Sequence, residues 1–208
     1  MSADSGTVRD DLAFMRARVQ DGATGMTAAL GEAYFAGGLI YGLQCLIQSS
    51  SALGLPPLPA SWQLVAGLGP TVVFSVAISI IIWRHRNDSK GGFVGRAVGA
   101  AFACLSVSNL ALILVIGSLA LARHSLEIWL LYPCAVFVMQ GASWLIAYAL
   151  RQRPWLLFVG LGWYAAAVAL AFSISLSVTA FGLLAGASLI LLMAAPGLAI
   201  MRLARNPG

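Results

Sequence analysis

The chain has 208 residues, 60% of them hydrophobic and only 9% charged, with a formal net charge of +5. Soluble domains average about 25% charged residues, and a water-exposed fold of this length cannot hide so much apolar surface. The composition excludes an ordinary soluble domain. It predicts an all-α polytopic membrane protein, a bundle of six transmembrane helices with N- and C-termini cytosolic.

Residues 1–26 read as a cytosolic segment. Val8, Leu12, Met15 and Val19 recur on one helical face, which predicts a short amphipathic helix over 7–20. It would lie on the membrane surface or dock under the bundle. The polar start lacks the basic-then-apolar pattern of a secretory signal, so the first span is expected to remain in the mature protein.

A single membrane domain is predicted over 27–203. Its first span covers about 28–50, and a proline-rich turn at Pro56, Pro57 and Pro59 follows. The second runs about 62–83, from Trp62 to Trp83. That is roughly 32 Å of helix with an aromatic at each interface. The most charged loop comes next, with Arg84, His85, Arg86, Asp88 and Lys90. Spans at about 97–121, 127–149, 155–174 and 178–201 follow, and a short tail closes the chain at 204–208.

Eleven of the twelve Lys and Arg residues fall on one side of this plot. Basic loops stay in the cytosol. The bias therefore predicts both termini inside, and the general look of the chain is that of a small bacterial inner-membrane protein. The same punctuating pattern argues against a nucleic-acid face.

Polar residues within the spans are costly unless they face protein or water. Tyr34, Tyr41, Gln44 and Gln48 share one face of the first helix, with Gly37 among them. Asn109 lies with Ser106 on a face of the third. Gln140 and Ser143 lie with Tyr132 on a face of the fourth. Thr71, Ser75 and Ser79 recur at i, i+4 and i+8 on the second. These faces should turn into the bundle. They would line a pathway or pocket built on Tyr34, Tyr41, Gln44, Gln48, Asn109, Gln140 and Ser143, or serve as interhelical glue.

Glu32 is the acid that lies inside a span. An intramembrane carboxylate suggests a proton site, but its place near the cytosolic boundary suggests an ion pair instead, with Arg96 as partner. Glu127 follows Arg123 by four residues, which would make a same-helix pair. Arg84, His85, Arg86 and Lys90 could hold a lipid headgroup or act as a positive-inside anchor. Gly91, Gly95 and Gly99, with Gly38/Gly42 and Gly182/Gly186, carry G-x-x-x-G spacing, read as intramolecular packing. Pro70, Pro133 and Pro196 sit inside helices and predict kinks.

Catalytic and metal chemistry find no set of residues here. Both histidines lie in loops. Cys45, Cys104 and Cys134 form no C-x-x-C pair. No metal site, cofactor or catalytic group is expected. Three functions remain. The first is a small transporter or channel-like bundle for a small molecule or ion. The second is a non-catalytic partner, sensor or assembly subunit, binding another membrane protein or its own copies. The third is a lipid-modifying enzyme working through the 84–90 loop.

Overall fold

The computed structural model describes residues 28–50, 59–86 and 93–205. The amphipathic helix expected at 7–20, Asp88 and Lys90 lie outside them. Every element among the described residues is helical. These are α1 (Ala28–Gln48), α2 (Ala60–Arg84), α3 (Phe93–Arg123), α4 (Leu126–Arg151), α5 (Pro154–Ile174) and α6 (Val178–Leu189). From α6 the chain passes through a π-helical turn (Ile190–Ala194) into α7 (Ala195–Arg205). Six stretches are long and apolar enough to cross a membrane, with α6, the π turn and α7 together forming the sixth. This is a multi-pass membrane protein.

The ends of the helices follow local chemistry. Ser125 and Ser177 cap α4 and α6, accepting from the amides of Ile128 and Ala180, as serine does when a helix start leaves N–H groups unbonded. His124 and Gln152 adopt left-handed backbone at φ 48° and 52°, and each reverses the chain between two spans. The break at His124 places Arg123 on α3 and Glu127 on α4, so the expected same-helix pair does not form. Glu127 instead occupies the first turn of α4, where a carboxylate suits the helix dipole.

The helices form an arc. In spatial order they run α2, α1, the sixth span, α5, α4 and α3. Neighbours are antiparallel. Tyr41 meets Phe74 across the α1–α2 seam, and Phe137 meets Trp163 across the α4–α5 seam. The dense centre lies where α4, α5 and the sixth span converge, and there Trp144, Trp163, Leu156, Leu170 and Ile200 are fully buried. The arc's two ends are thinly covered. Only 6% of the apolar stretch of α2 and of α3 is buried, against 28–39% for the other four spans.

Glycine makes the central seam. Lipid tails are as apolar as leucine, so helices in a membrane associate by close backbone packing. Gly31, Gly38 and Gly42 of α1 are buried against the sixth span. A Cβ on Gly42 would come within 2.7 Å of Ile190 and 3.2 Å of the Gly186 carbonyl. A Cβ on Gly31 would come within 3.0 Å of the Gly197 carbonyl. The spacings Gly38/Gly42 and Gly182/Gly186 are thus two sides of one intramolecular contact. Gly99, by contrast, has open space around it.

This difference is measurable. Gly42→Leu should destabilise the folded protein by about 1–3 kcal/mol through overpacking, read from thermal unfolding in detergent. Gly99→Leu should change stability by less than about 0.5 kcal/mol. Equal effects at the two positions would contradict the assigned seam.

Candidate functional site

The first-helix stripe predicted from sequence faces two different neighbours. Tyr34 is buried and points across the arc, where its hydroxyl donates to Gln140 Oε1 of α4 at 2.6 Å. Its ring meets Phe102 of α3 and Trp144 of α4 edge-on, with centroids 5.1 and 5.4 Å apart. Gln44 and Gln48 point instead to α2. Gln44 Nε2 donates to the Gly67 carbonyl at 3.1 Å, and Gln48 Nε2 to the Ala66 carbonyl at 3.4 Å.

Those carbonyls have a physical reason to accept. In a helix the carbonyl of residue 66 bonds the amide of residue 70. Residue 70 is proline, which has no N–H and whose ring crowds that same carbonyl. Pro70 therefore frees a backbone acceptor about one turn inside the Trp62 end of α2. Gln48 supplies the donor from the neighbouring helix, and Gln44 serves the next carbonyl along.

The sixth span repeats the arrangement with another residue. Pro196 removes the amide that would bond the Leu192 carbonyl, and the chain relaxes through the π turn, in which Ala195 N–H reaches Ile190 O. The indole of the buried Trp163 on α5 donates to Leu192 O at 3.1 Å. Trp163 does not belong to the polar stripes found in the sequence. Its signal there was the pairing of an indole donor with a proline-freed acceptor, which spacing within one helix cannot display.

The remaining predicted residues fall into place around these contacts. Asn109 Oδ1 on α3 accepts from the Tyr132 hydroxyl on α4 at 2.8 Å. Tyr41 packs its ring on Phe74. Ser143 is buried on α4. The structure brings Tyr34 and Gln140 together, and separately Asn109 and Tyr132, and it sends Gln44 and Gln48 to the opposite side of α1. Trp144 is fully buried among Tyr34, Phe102 and Trp155, and its indole N–H has no hydrogen-bond acceptor among the described residues.

One polar face points away from the interior. Thr71, Ser75 and Ser79 are exposed on α2, contrary to the inward turn expected of them. The hydroxyls of Ser75 and Ser79 return to the carbonyls of Thr71 and Ser75 at 2.7 and 2.8 Å. That internal bond makes the outward position tolerable, because the serine carries its own acceptor with it. Ser106 on α3 behaves alike, bonding the Phe102 carbonyl.

At the rim, Glu32 Oε2 lies 3.6 Å from Arg84 Nη1 and 3.4 Å from His85 Nε2. The carboxylate sits near the start of α1, and Arg84 at the end of α2, so each of these two charges also suits its own helix dipole. The Arg96 side chain, expected as the partner of Glu32, lies outside the described residues. Arg86 stacks over the Trp83 ring, 5.5 Å from its centroid. Among the described residues no group of His, Cys, Asp and Glu could hold a metal ion.

No protein-family model, curated protein or solved structure matches the chain.

The link between amide and proline is open to a double-mutant cycle. Gln48→Leu should cost about 1 kcal/mol, within the range of interhelical hydrogen bonds in membranes. In a Pro70→Ala background, position 70 regains an amide that can bond Ala66 O, and the same change should cost close to nothing. Equal costs in both backgrounds would mean that Gln48 has another reason to be there.

Proposed function

We propose that this protein is a non-catalytic membrane partner, an assembly or regulatory subunit, that engages another membrane protein through the outward face of α3. One observation carries this reading. Ala100, Cys104, Ser108 and Ala111 follow i, i+4, i+8 and i+11 on α3, and all four are exposed. Small residues in that pattern are what membrane helices use to bring backbones together. On α1 and the sixth span the same kind of surface is already occupied within the chain. On α3 it faces outward beside the equally exposed Val107, Leu114 and Val115.

The polar interior supports the same reading from the other side. The amides of Gln44, Gln48, Asn109 and Gln140 each hold an interhelical hydrogen bond. Two of them serve backbone carbonyls in the turn before Pro70. Groups committed to holding the bundle together are poorly suited to exchanging partners with a passing solute. The excess of Arg and Lys on one side supports an inner-membrane location with both termini in the cytosol.

The test compares two surfaces in one protein. With the complex purified in mild detergent, Ala100→Leu combined with Ser108→Leu should weaken retention of the partner by roughly tenfold or more, as an overpacked contact would. Val72→Leu on α2 should leave retention unchanged. Reconstituted alone, the wild type should pass ions and small solutes no faster than empty liposomes. A solute flux that Gln140→Leu abolishes in a folded protein would overturn the reading in favour of transport. Undiminished retention in the α3 double variant would overturn it as well.

A further inference from the structure

The side of α2 turned away from its packing face carries a shallow groove of about 510 Å³, open to its surroundings and formed by this helix alone. Thr71, Ser75 and Ser79 form its floor, Val76 and Ile80 line its wall, and Trp83 stands at its end. The floor is low because its residues are small. It is also chemically quiet, because the Ser75 and Ser79 hydroxyls are bonded to their own helix. From Thr71 to Trp83 the trough runs roughly 18 Å along the helix axis, close to the depth of one leaflet's hydrocarbon.

The end of the trough is cationic. Trp83 is 64% exposed, and the Arg86 guanidinium lies over its ring. Among the described residues no carboxylate pairs with Arg86. Arg84 is 60% exposed at its side chain while also facing Glu32, so its outer side is open to an anion. An amphipathic aromatic with a guanidinium stacked on it is what the boundary between tails and headgroups favours.

We infer that this groove is a binding site for an anionic phospholipid. One acyl chain lies along Thr71, Ser75 and Ser79 against Val76 and Ile80, and the headgroup phosphate meets Arg86 and the open side of Arg84. Charge selects this occupant. A second copy of the chain packed face to face about a two-fold axis would bring two Arg84 and two Arg86 guanidiniums together, at the cost of like-charge repulsion. A zwitterionic lipid would bring its own cation to the same pair. A net negative headgroup complements them, each basic residue near the surface favouring it by an amount equal to roughly fivefold in affinity. This site is independent of the α3 face, and either can fail without the other.

Native mass spectrometry of the full chain in detergent tests it, with dioleoyl phosphatidylglycerol and dioleoyl phosphatidylcholine as the two probes. The wild type should retain phosphatidylglycerol at least about fivefold better than phosphatidylcholine. Arg86→Gln should lower the preference for phosphatidylglycerol roughly fivefold, the share of one basic residue, since the charge selects and the groove does not. Ser75→Phe, which fills an exposed floor, should reduce phosphatidylglycerol retention by a similar factor without lowering the unfolding temperature. Equal retention of both lipids by the wild type would overturn the site. So would phosphatidylglycerol retention unchanged in both variants. A lipid-free dimer that Ser75→Phe dissociates would assign the groove to a second copy and overturn it too.

Discussion

Hydrocarbon offers a backbone nothing to bond with. Every N–H and C=O inside a membrane must find a partner in the protein, and a proline inside a helix leaves one carbonyl without its usual donor. Pro70 and Pro196 each create that vacancy, at Ala66 and at Leu192. Each is met from a neighbouring helix, by Gln48 in one case and Trp163 in the other. The donor can be reached only if the neighbour sits in one register, so meeting the hydrogen bond also aligns α1 with α2 and α5 with the sixth span. A gap in one helix's own bonding thereby fixes the register of its neighbour.

The other interior contacts extend the same logic. Between α1 and the sixth span no polar group is needed, because glycine lets the backbones approach until van der Waals contact alone holds them. Across the arc, Tyr34 joins α1 to α3 and α4 by one short hydrogen bond and two edge-on ring contacts. With the interior occupied in this way, the least covered surfaces are those of α2 and α3, the arc's two ends. They differ in character. The α3 face is small and smooth along its length, suited to another helix. The α2 face is a trough that ends in guanidinium groups, suited to a lipid.

Much of the fold was legible in the chain. Six apolar stretches of membrane length, with turns between them, are a one-dimensional property, and the observed helices match the expected spans to within a few residues. The largest differences are at α3, which starts at Phe93, and at the last span, which runs on to Arg205. Helix ends respond to caps and solvent that hydropathy does not weigh. The three prolines inside helices were visible in the sequence. The partner of each freed carbonyl was not, since Gln48 and Ala66 are 18 residues apart, and Trp163 and Leu192 are 29. Periodicity identifies a face and leaves open which neighbour it meets. It placed Tyr34 and Gln44 on one stripe, yet they contact opposite sides of the arc. It also turned Thr71, Ser75 and Ser79 inward on the rule that buried polar groups seek protein. A serine that bonds its own preceding carbonyl escapes that rule. The outward stripe of α3 leaves no mark in hydropathy, because alanine, cysteine and serine contrast little with their apolar neighbours.

The claim that long-range donors complete the proline-broken helices can be read at a single carbonyl. Isotope-edited infrared spectroscopy of the protein in bilayers, with ¹³C=¹⁸O at Leu192 alone, reports whether that group accepts a hydrogen bond. The wild-type band should lie at the lowered, bonded frequency and rise in Trp163→Phe, and Pro196→Ala should hold it low even without the indole. A band that stays at one frequency in wild type and Trp163→Phe would contradict the account.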